Sequence, residues 1–312
     1  MHQTSHKFFK RICLFCLFAG LLYGSSRLYF ELTDGFQVVH ISSDFGYDKR
    51  WETRPLSLNE RQNIEEILDQ KFTYLGKGCQ SYVFLSQDGE HVLKFFKYQR
   101  LRPHFYYQYL SFIPFIEKKI EKKRLKREGF FKSWVIAFDY LPDQTGLAYV
   151  HLNKTTHLKK NVTILDKIGI EHTLNIDDME FLIQKKAELL CDTLDSLVET
   201  NNLKEAKDIL TNLVQMIVFE YQSGIADLDP ALMQNSGVFK KQPIHIDVGL
   251  FDKNELFKNP QYYHQELYNK TWKFRDWLRK KHPQLLTHLD MELHKVLGDQ
   301  FYTLQYIPSK IQ

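Results

Sequence analysis

Apolar positions along the chain follow three rhythms in turn. Residues 12–23 form an uninterrupted apolar run without a charge. From residue 36 to 165 apolar residues come in short bursts bounded by turn formers. This predicts strands over 36–41, 72–75, 82–85, 92–96, 147–152 and 161–165. Gln87-Asp88-Gly89-Glu90 joins two of them and carries the Asp-Gly signal of a hairpin. Ser57-Leu58-Asn59-Glu60 is a capping box, in which the serine and glutamate side chains each satisfy a free backbone N–H, so a helix is predicted to about residue 70. Phe130, Trp134, Phe138 and Leu141 recur at helical spacing, and Pro142 ends that helix because it has no N–H to donate. From residue 177 the helical period takes over. It predicts long amphipathic helices over 179–200 and 203–222, a short strand over 244–249, and helices with aromatic faces over 255–312. A strand-rich first half before a helical second half is an α+β arrangement.

Composition alters this picture mainly by exclusion. At 312 residues and 43% hydrophobic, with only 14 Gly and 9 Pro, the chain can bury a large core and is neither disordered nor low in complexity. Of four cysteines, Cys13 and Cys16 lie in the apolar run. Cys79 and Cys191 alone build neither a disulfide scaffold nor a metal site. With 42 basic and 38 acidic residues the formal charge is +4, too mild to indicate nucleic acid as a partner. The excess is local. Residues 117–128 (EKKIEKKRLKRE) hold seven basic and three acidic residues, either as a solvated helix face or as a contact for an anionic partner or membrane surface.

The first residues read as a targeting segment. A basic start, His6-Lys7-Phe8-Phe9-Lys10-Arg11, precedes the apolar run, and Gly24-Ser25-Ser26 follows it, the order of a secretory signal. The run is shorter than the roughly 20 residues of a spanning helix. Residues 1–26 are thus expected to be a signal peptide cleaved near Ser26, or an uncleaved anchor with its Lys/Arg side facing the cytoplasm. A buried N-terminal helix is the remaining alternative. Residues 12–24 would carry any membrane association.

The residues that suggest chemistry begin at Leu75-Gly76-Lys77-Gly78-Cys79-Gln80-Ser81-Tyr82-Val83, a glycine-containing joint between two strands, followed by a strand bearing Lys94. Glycines there let the backbone bend tightly over a ligand and offer N–H groups to phosphate oxygens. No helix follows directly, which argues against the dinucleotide fingerprint and the Walker loop. Further on, the 203–222 helix runs into Gly224-Ile225-Ala226-Asp227-Leu228-Asp229-Pro230, then Asn235, then Ile244-His245-Ile246-Asp247-Val248-Gly249. Asp227 and Asp229 before Pro230 also suit a plain turn. His151, His172 and His245 alternate with apolar residues and are expected to be satisfied core histidines.

In these features, over about residues 70–255, the chain resembles the protein-kinase-like superfamily, whose pattern is G-x-G-x-x-G-x-V, a strand lysine, a catalytic-loop Asp and Asn, and Asp-x-Gly. Ser81 stands at the third glycine, and Val83 matches the valine that packs on adenine. The resemblance implies a two-lobed fold, with an antiparallel sheet plus helix in the first lobe and a helical second lobe. It also implies ATP and Mg²⁺ as cofactors. Lys94 would hold the α- and β-phosphates, with Glu128, or alternatively Glu121, as its acidic partner. Asp227 would accept the hydroxyl proton, and Asn235 and Asp247 would ligate the metal. The Asp227-to-Asn235 interval is longer than usual, Ile225-Ala226 replaces His-Arg, and no A-P-E follows Gly249. These departures place the chain nearer the small-molecule, aminoglycoside-phosphotransferase-like branch.

The expected division is 1–26 targeting, 27–70 lead-in strand and helix, 71–168 first lobe and 169–312 second lobe. The expected function is an ATP- and Mg²⁺-dependent phosphotransferase acting on a hydroxyl acceptor, a small molecule or a protein. The alternatives are a catalytically silent, pseudokinase-type binding module of the envelope or a host cell, and an envelope protein with no nucleotide role. ATP is scarce outside a cytoplasm. Export and ATP use are reconciled if the chain is a secreted effector delivered into another cytoplasm.

Overall fold

The computed structural model describes residues 2–103 and 105–307, the side chains of 2–10, 105 and 108 excepted. Helix α1 (His2–Thr33) contains the apolar run, and the basic start at 6–10 lies outside the described side chains. Residues Arg11–Thr33 are long and apolar enough to cross a membrane, and none of the side chains from 11 to 32 is buried in the protein. The alternative of a buried N-terminal helix is therefore wrong. After α1 come the helical turn α2 (Val38–Ile41) and α3 (Leu58–Leu68), which opens with the Ser57–Glu60 capping box.

The strand pattern then closes into a sheet. Its members are β1 (Phe72–Lys77), β2 (Ser81–Ser86) and β3 (His91–Phe96), with Gly89 in the left-handed region at the β2–β3 turn. The short α4 (Tyr98–Leu101), the long α5 (Pro114–Tyr140) and α6 (Pro142–Thr145) intervene. There follow β4 (Leu147–His151), β5 (Asn161–Leu165), β6 (Glu171–Asn175) and β7 (Phe181–Lys185). The order across the sheet is β4-β7-β3-β2-β1-β5-β6, antiparallel throughout except for the parallel β1–β5 pair. Beyond it lie β8 (Glu188–Leu189), α7 (Leu190–Glu199), α8 (Leu203–Gln222), β9 (Ile225–Asp227) and α9 (Leu232–Asn235). The chain continues with β10 (Ser236–Phe239), β11 (Gln242–His245), β12 (Phe251–Lys253), α10 (Pro260–Lys281) and α11 (Pro283–Leu297). Strands β8, β10 and β11 make a three-stranded sheet, and β9 pairs with β12.

Two expectations fail locally. Residues 36–41 are not a strand. Gly35, in the left-handed region, turns the chain, its carbonyl takes the Tyr82 hydroxyl and the His40 ring, and Ser42 N–H closes a helical turn onto Val38. Residues 179–200 are not one helix. Phe181, Leu182, Ile183 and Gln184 are buried as β7 between β3 and β4, and only α7 is helical. A strand covered on both faces loses its alternation and reads like a buried helix. The sheet therefore continues past residue 168, where the sequence suggested a division.

Packing falls into two hydrophobic clusters. One joins the seven-stranded sheet to α3 and the second half of α5, and it also takes in Ile225, Val248 and Phe251. The other is built from α7, α8, α10 and α11. Phe96 is a hub of the first, in ring contact with Tyr98, Phe130, Phe131 and Trp134. Phe96→Ala should lower the unfolding free energy by about 3–5 kcal/mol in denaturant titrations of the detergent-solubilised chain.

Candidate active site

Strand β3 delivers Lys94 into the interior. Its partner in register on β2 is Val83 and on β7 is Leu182, both apolar. Lys94 Nζ donates to the Ile246 carbonyl at 2.5 Å, one residue before Asp247. Burial pushes the Lys94 ammonium down to about 8, while the Asp247 charge works to raise it. Burial lifts the Asp247 carboxyl above its usual range. Lys94 draws it down, and the charges of Asp229 and Asp227 push it up again. Asp247, Asp229 and Asp227 thus crowd one region, with Lys94 on one side of it.

Asp227 and Asp229, one residue apart, differ in access. Asp227 ends β9, and only 2% of its side chain is exposed. Its Oδ2 accepts from Lys270 Nζ of α10 at 2.6 Å and its Oδ1 from the Asp229 N–H at 3.0 Å. The same ammonium donates to the backbone carbonyls of Asp227 and Asp229. Asp229 is half-buried, and its Oδ1 accepts from the Ala231 N–H at 2.8 Å. A base must touch the proton it removes. Of the two, Asp229 is therefore the more accessible carboxylate. Asp227 is instead a clamp that ties the loop to α10. Asn235, at the end of α9, is buried, and its carbonyl accepts from Ile246 N–H at 2.7 Å, which sets it beside Asp247.

The glycine-containing joint is a hairpin turn. Gly78 N–H donates to the Ser81 carbonyl at 2.9 Å, and Lys97 Nζ donates to the Gly78 carbonyl at 2.7 Å from over the Tyr82 ring. Among the described residues, chain neighbours apart, nothing lies within 4 Å of a Cβ built on Gly76, and one built on Gly78 meets Ser81 Oγ at 3.7 Å. The backbone face is therefore open to a ligand. The Gln80 amide reaches toward Gly249, where an added Cβ would meet its Nε2 at 3.0 Å, and Gln80 Oε1 is buried without a partner.

Glu128 does not partner Lys94. It pairs with Arg50 at 3.2 Å and Arg124 at 3.3 Å, and Glu121 pairs with Arg124. Glu128 precedes the turn at which α5 begins to bury side chains, and Phe130, Phe131 and Trp134 occupy the space toward β3. Among the described residues no carboxylate comes within ion-pair distance of Lys94, and no cluster of three His, Cys, Asp or Glu is set to hold a metal.

Sequence reasoning missed the supporting residues. Glu220 on α8 accepts from His245 Nε2 at 2.7 Å, and both are buried behind Asp227. Gln184 on β7 donates to the His245 carbonyl at 2.8 Å. A glutamate in the apolar stripe of α8 and a lysine within the aromatic face of α10 were the available signals. Their partners are remote in sequence.

No known protein family matches the chain, and no curated protein sequence does. Among solved structures, a crystal structure of WbdD matches at TM-score 0.34 and 14% identity, covering 70% of this chain and 43% of that one. A structure described as the bifunctional kinase-methyltransferase WbdD matches at TM-score 0.35 and 12% identity, covering 75% and 44%. The likeness is coarse, and the chain spans less than half the length of those proteins.

The His245–Glu220 pair gives a pH signature. Burial works against the His245 charge, but Glu220 and Asp227 outweigh it and raise the imidazolium above its ordinary value. A raised folded-state value adds stability that is complete below the ordinary imidazole range and is lost as pH rises through the folded value. The stability gap between wild type and His245→Asn should therefore be widest at mildly acid pH. It should narrow as pH climbs past the raised value in thermal melts.

Proposed function

We propose that the chain is a nucleotide-dependent phosphotransferase acting on a hydroxyl acceptor. The observation that carries this reading is the meeting of Lys94 with Ile246-Asp247, residues 152 positions apart, beside the accessible Asp229. Each residue suits a phosphoryl-transfer role. Lys94 would orient phosphate oxygens, and the open backbone at Gly76 and Gly78, with Ser81 and Val83 on β2, would lie over the nucleotide. Asp229 would hold the acceptor hydroxyl and take its proton, while Asp227 and Lys270 fix the loop. The burial, and after it the neighbouring Asp229 and Asp227 charges, that lift the Asp247 carboxyl fit a cation held by oxygen donors, for which Asp247 and Asn235 are the candidates. Mg²⁺ held there would neutralise charge that builds on the transferred group.

A catalytically silent nucleotide-binding module is the second reading, and one observation favours it. Lys94 has no carboxylate partner from α5, whereas active kinases align this lysine with such a pair.

MgATP turnover by the full chain in detergent micelles separates these readings. Wild type should release ADP, and Lys94→Met, Asp247→Asn and Asp229→Asn should each slow release by about 100-fold or more. Asp229→Asn should keep the melting temperature. Asp227→Asn should lower stability by about 3–5 kcal/mol, because it leaves the buried Lys270 ammonium without its counter-charge. Stabilisation by MgATP without turnover would favour the silent module. Neither turnover nor stabilisation would overturn both readings.

A further inference from the structure

Helix α5 is 27 residues long, yet no described side chain from Pro114 to Gly129 is buried; its packed face starts at Phe130. Half of the helix stands clear of the core. The segment leading into it is equally exposed and unusually aromatic. Phe112 is 79% exposed, Tyr109 71% and Phe115 65%, with Tyr106 and Ile113 also at the surface. The seven basic residues of 117–128 follow directly. Two of the three acidic residues there are already paired, Glu121 with Arg124 and Glu128 with Arg50 and Arg124. What faces outward is an aromatic patch beside a row of lysines that have no carboxylate partner among the described residues, with Lys119 lying over the Phe115 ring. Ring-shaped amphipathic side chains settle at the level of lipid headgroups, and clustered lysines are drawn to anionic lipid.

A run of contacts connects this patch to the end of the apolar α1. The end of α1 is fixed to β1. Burial opposes the Asp34 charge, yet hydrogen bonds from Lys77, Lys167 and Tyr74 hold its carboxyl below the usual range. Asp34 pairs with Lys77 at 3.0 Å and Lys167 at 3.2 Å, and Lys77 also sits over the Phe30 ring. Lys77 adjoins Gly78. On the other side of the same turn, Arg100 Nη1 reaches Cys79 Sγ at 3.1 Å, and the Arg100 carbonyl accepts from Lys123 Nζ of α5. An unbroken series of contacts therefore runs from the end of α1, across the glycine-containing turn, to the basic half of α5.

We infer that residues 106–127 are a second membrane contact, which docks on an anionic lipid surface while α1 is embedded in the same bilayer. The glycine-containing turn between them then lies at the headgroup layer. Two attachments remove the swivel that one helix would leave, so the turn between them faces the lipid persistently. The argument is independent of any phosphotransferase activity.

Trypsin can read this contact, because the basic residues of 118–127 are its cleavage sites. The full chain is reconstituted in nanodiscs of neutral phosphatidylcholine or of the same lipid with about 30% phosphatidylglycerol. Cleavage within 118–127 is compared with cleavage at Arg279–Lys281, exposed at the end of α10. Cleavage of 118–127 should be on the order of tenfold slower in the anionic discs, with α10 unaffected. The protection should fade at about 0.5 M salt, where the Debye length falls to a few Å. Phe112→Ser/Phe115→Ser should lose most of it while remaining in the discs through α1. Equal cleavage in the two lipids overturns the inference, as does protection that survives the double substitution. Protection by soluble heparin in neutral discs, with no response to lipid charge, would assign the patch to a soluble polyanion and overturn it too.

Discussion

Two consecutive carbonyls, those of His245 and Ile246, hold the sheet to the helical half of the molecule. Gln184 on β7 donates to the first and Lys94 on β3 to the second. Both donors come from central strands, so neither can move without disturbing the sheet. The acceptors are the last residue of β11 and the residue after it, which directly precedes Asp247. Buried carbonyls need donors, and a buried ammonium needs acceptors. The geometry of the site follows from satisfying these needs. Val248 and Phe251, just beyond, complete the joint by packing into the core of the sheet.

Behind this joint the polar groups are arranged in pairs. Lys270 neutralises Asp227 and gathers the carbonyls of Asp227 and Asp229, and Glu220 holds His245. Each pair reaches the loop from a different helix, α10 or α8. The loop is therefore shaped from outside, and this is why two aspartates separated by one residue have opposite accessibility. Asp227 is consumed by the scaffold, and Asp229 is left facing the region of Asp247. Lys94 differs, because α5 packs aromatic rings on Phe96 of the same strand and its acidic residues Glu121 and Glu128 pair elsewhere.

At the other end of the molecule the constraint is a short turn. Asp34 and Gly35 follow α1 directly, and both are tied to β1 and β2. A Cβ on Gly35 would lie 2.4 Å from the Phe30 ring, and its φ is in the left-handed region, so this turn accepts only glycine without rearrangement. The apolar helix is thereby joined to the glycine-containing hairpin with no flexible linker between them.

Local signals decided much of this protein. The capping box at Ser57, the Asp88-Gly89 hairpin, the strands around Lys94 and the α8 helix all depend on neighbours a few residues apart, and all were legible in the chain. So was the apolar character of α1, and so was the localisation of the charge excess to 117–128. Strand β7 was not legible, because burial on both faces erases the alternation that marks a strand. The turn at 38–41 was not either, since hydrogen bonds from Tyr82 and His40 to Gly35 decide it. At the site, residue types and order pointed to Lys94 and Asp247, while tertiary structure alone decided which carboxylates surround them. Asp227 and Asp229 differ only through Lys270, some forty residues away, and Glu128 is diverted by Arg50 from the lead-in segment. Pattern along a chain records which face of an element is apolar. Which charges meet is settled by how the elements pack, and burial makes those meetings strong enough to matter.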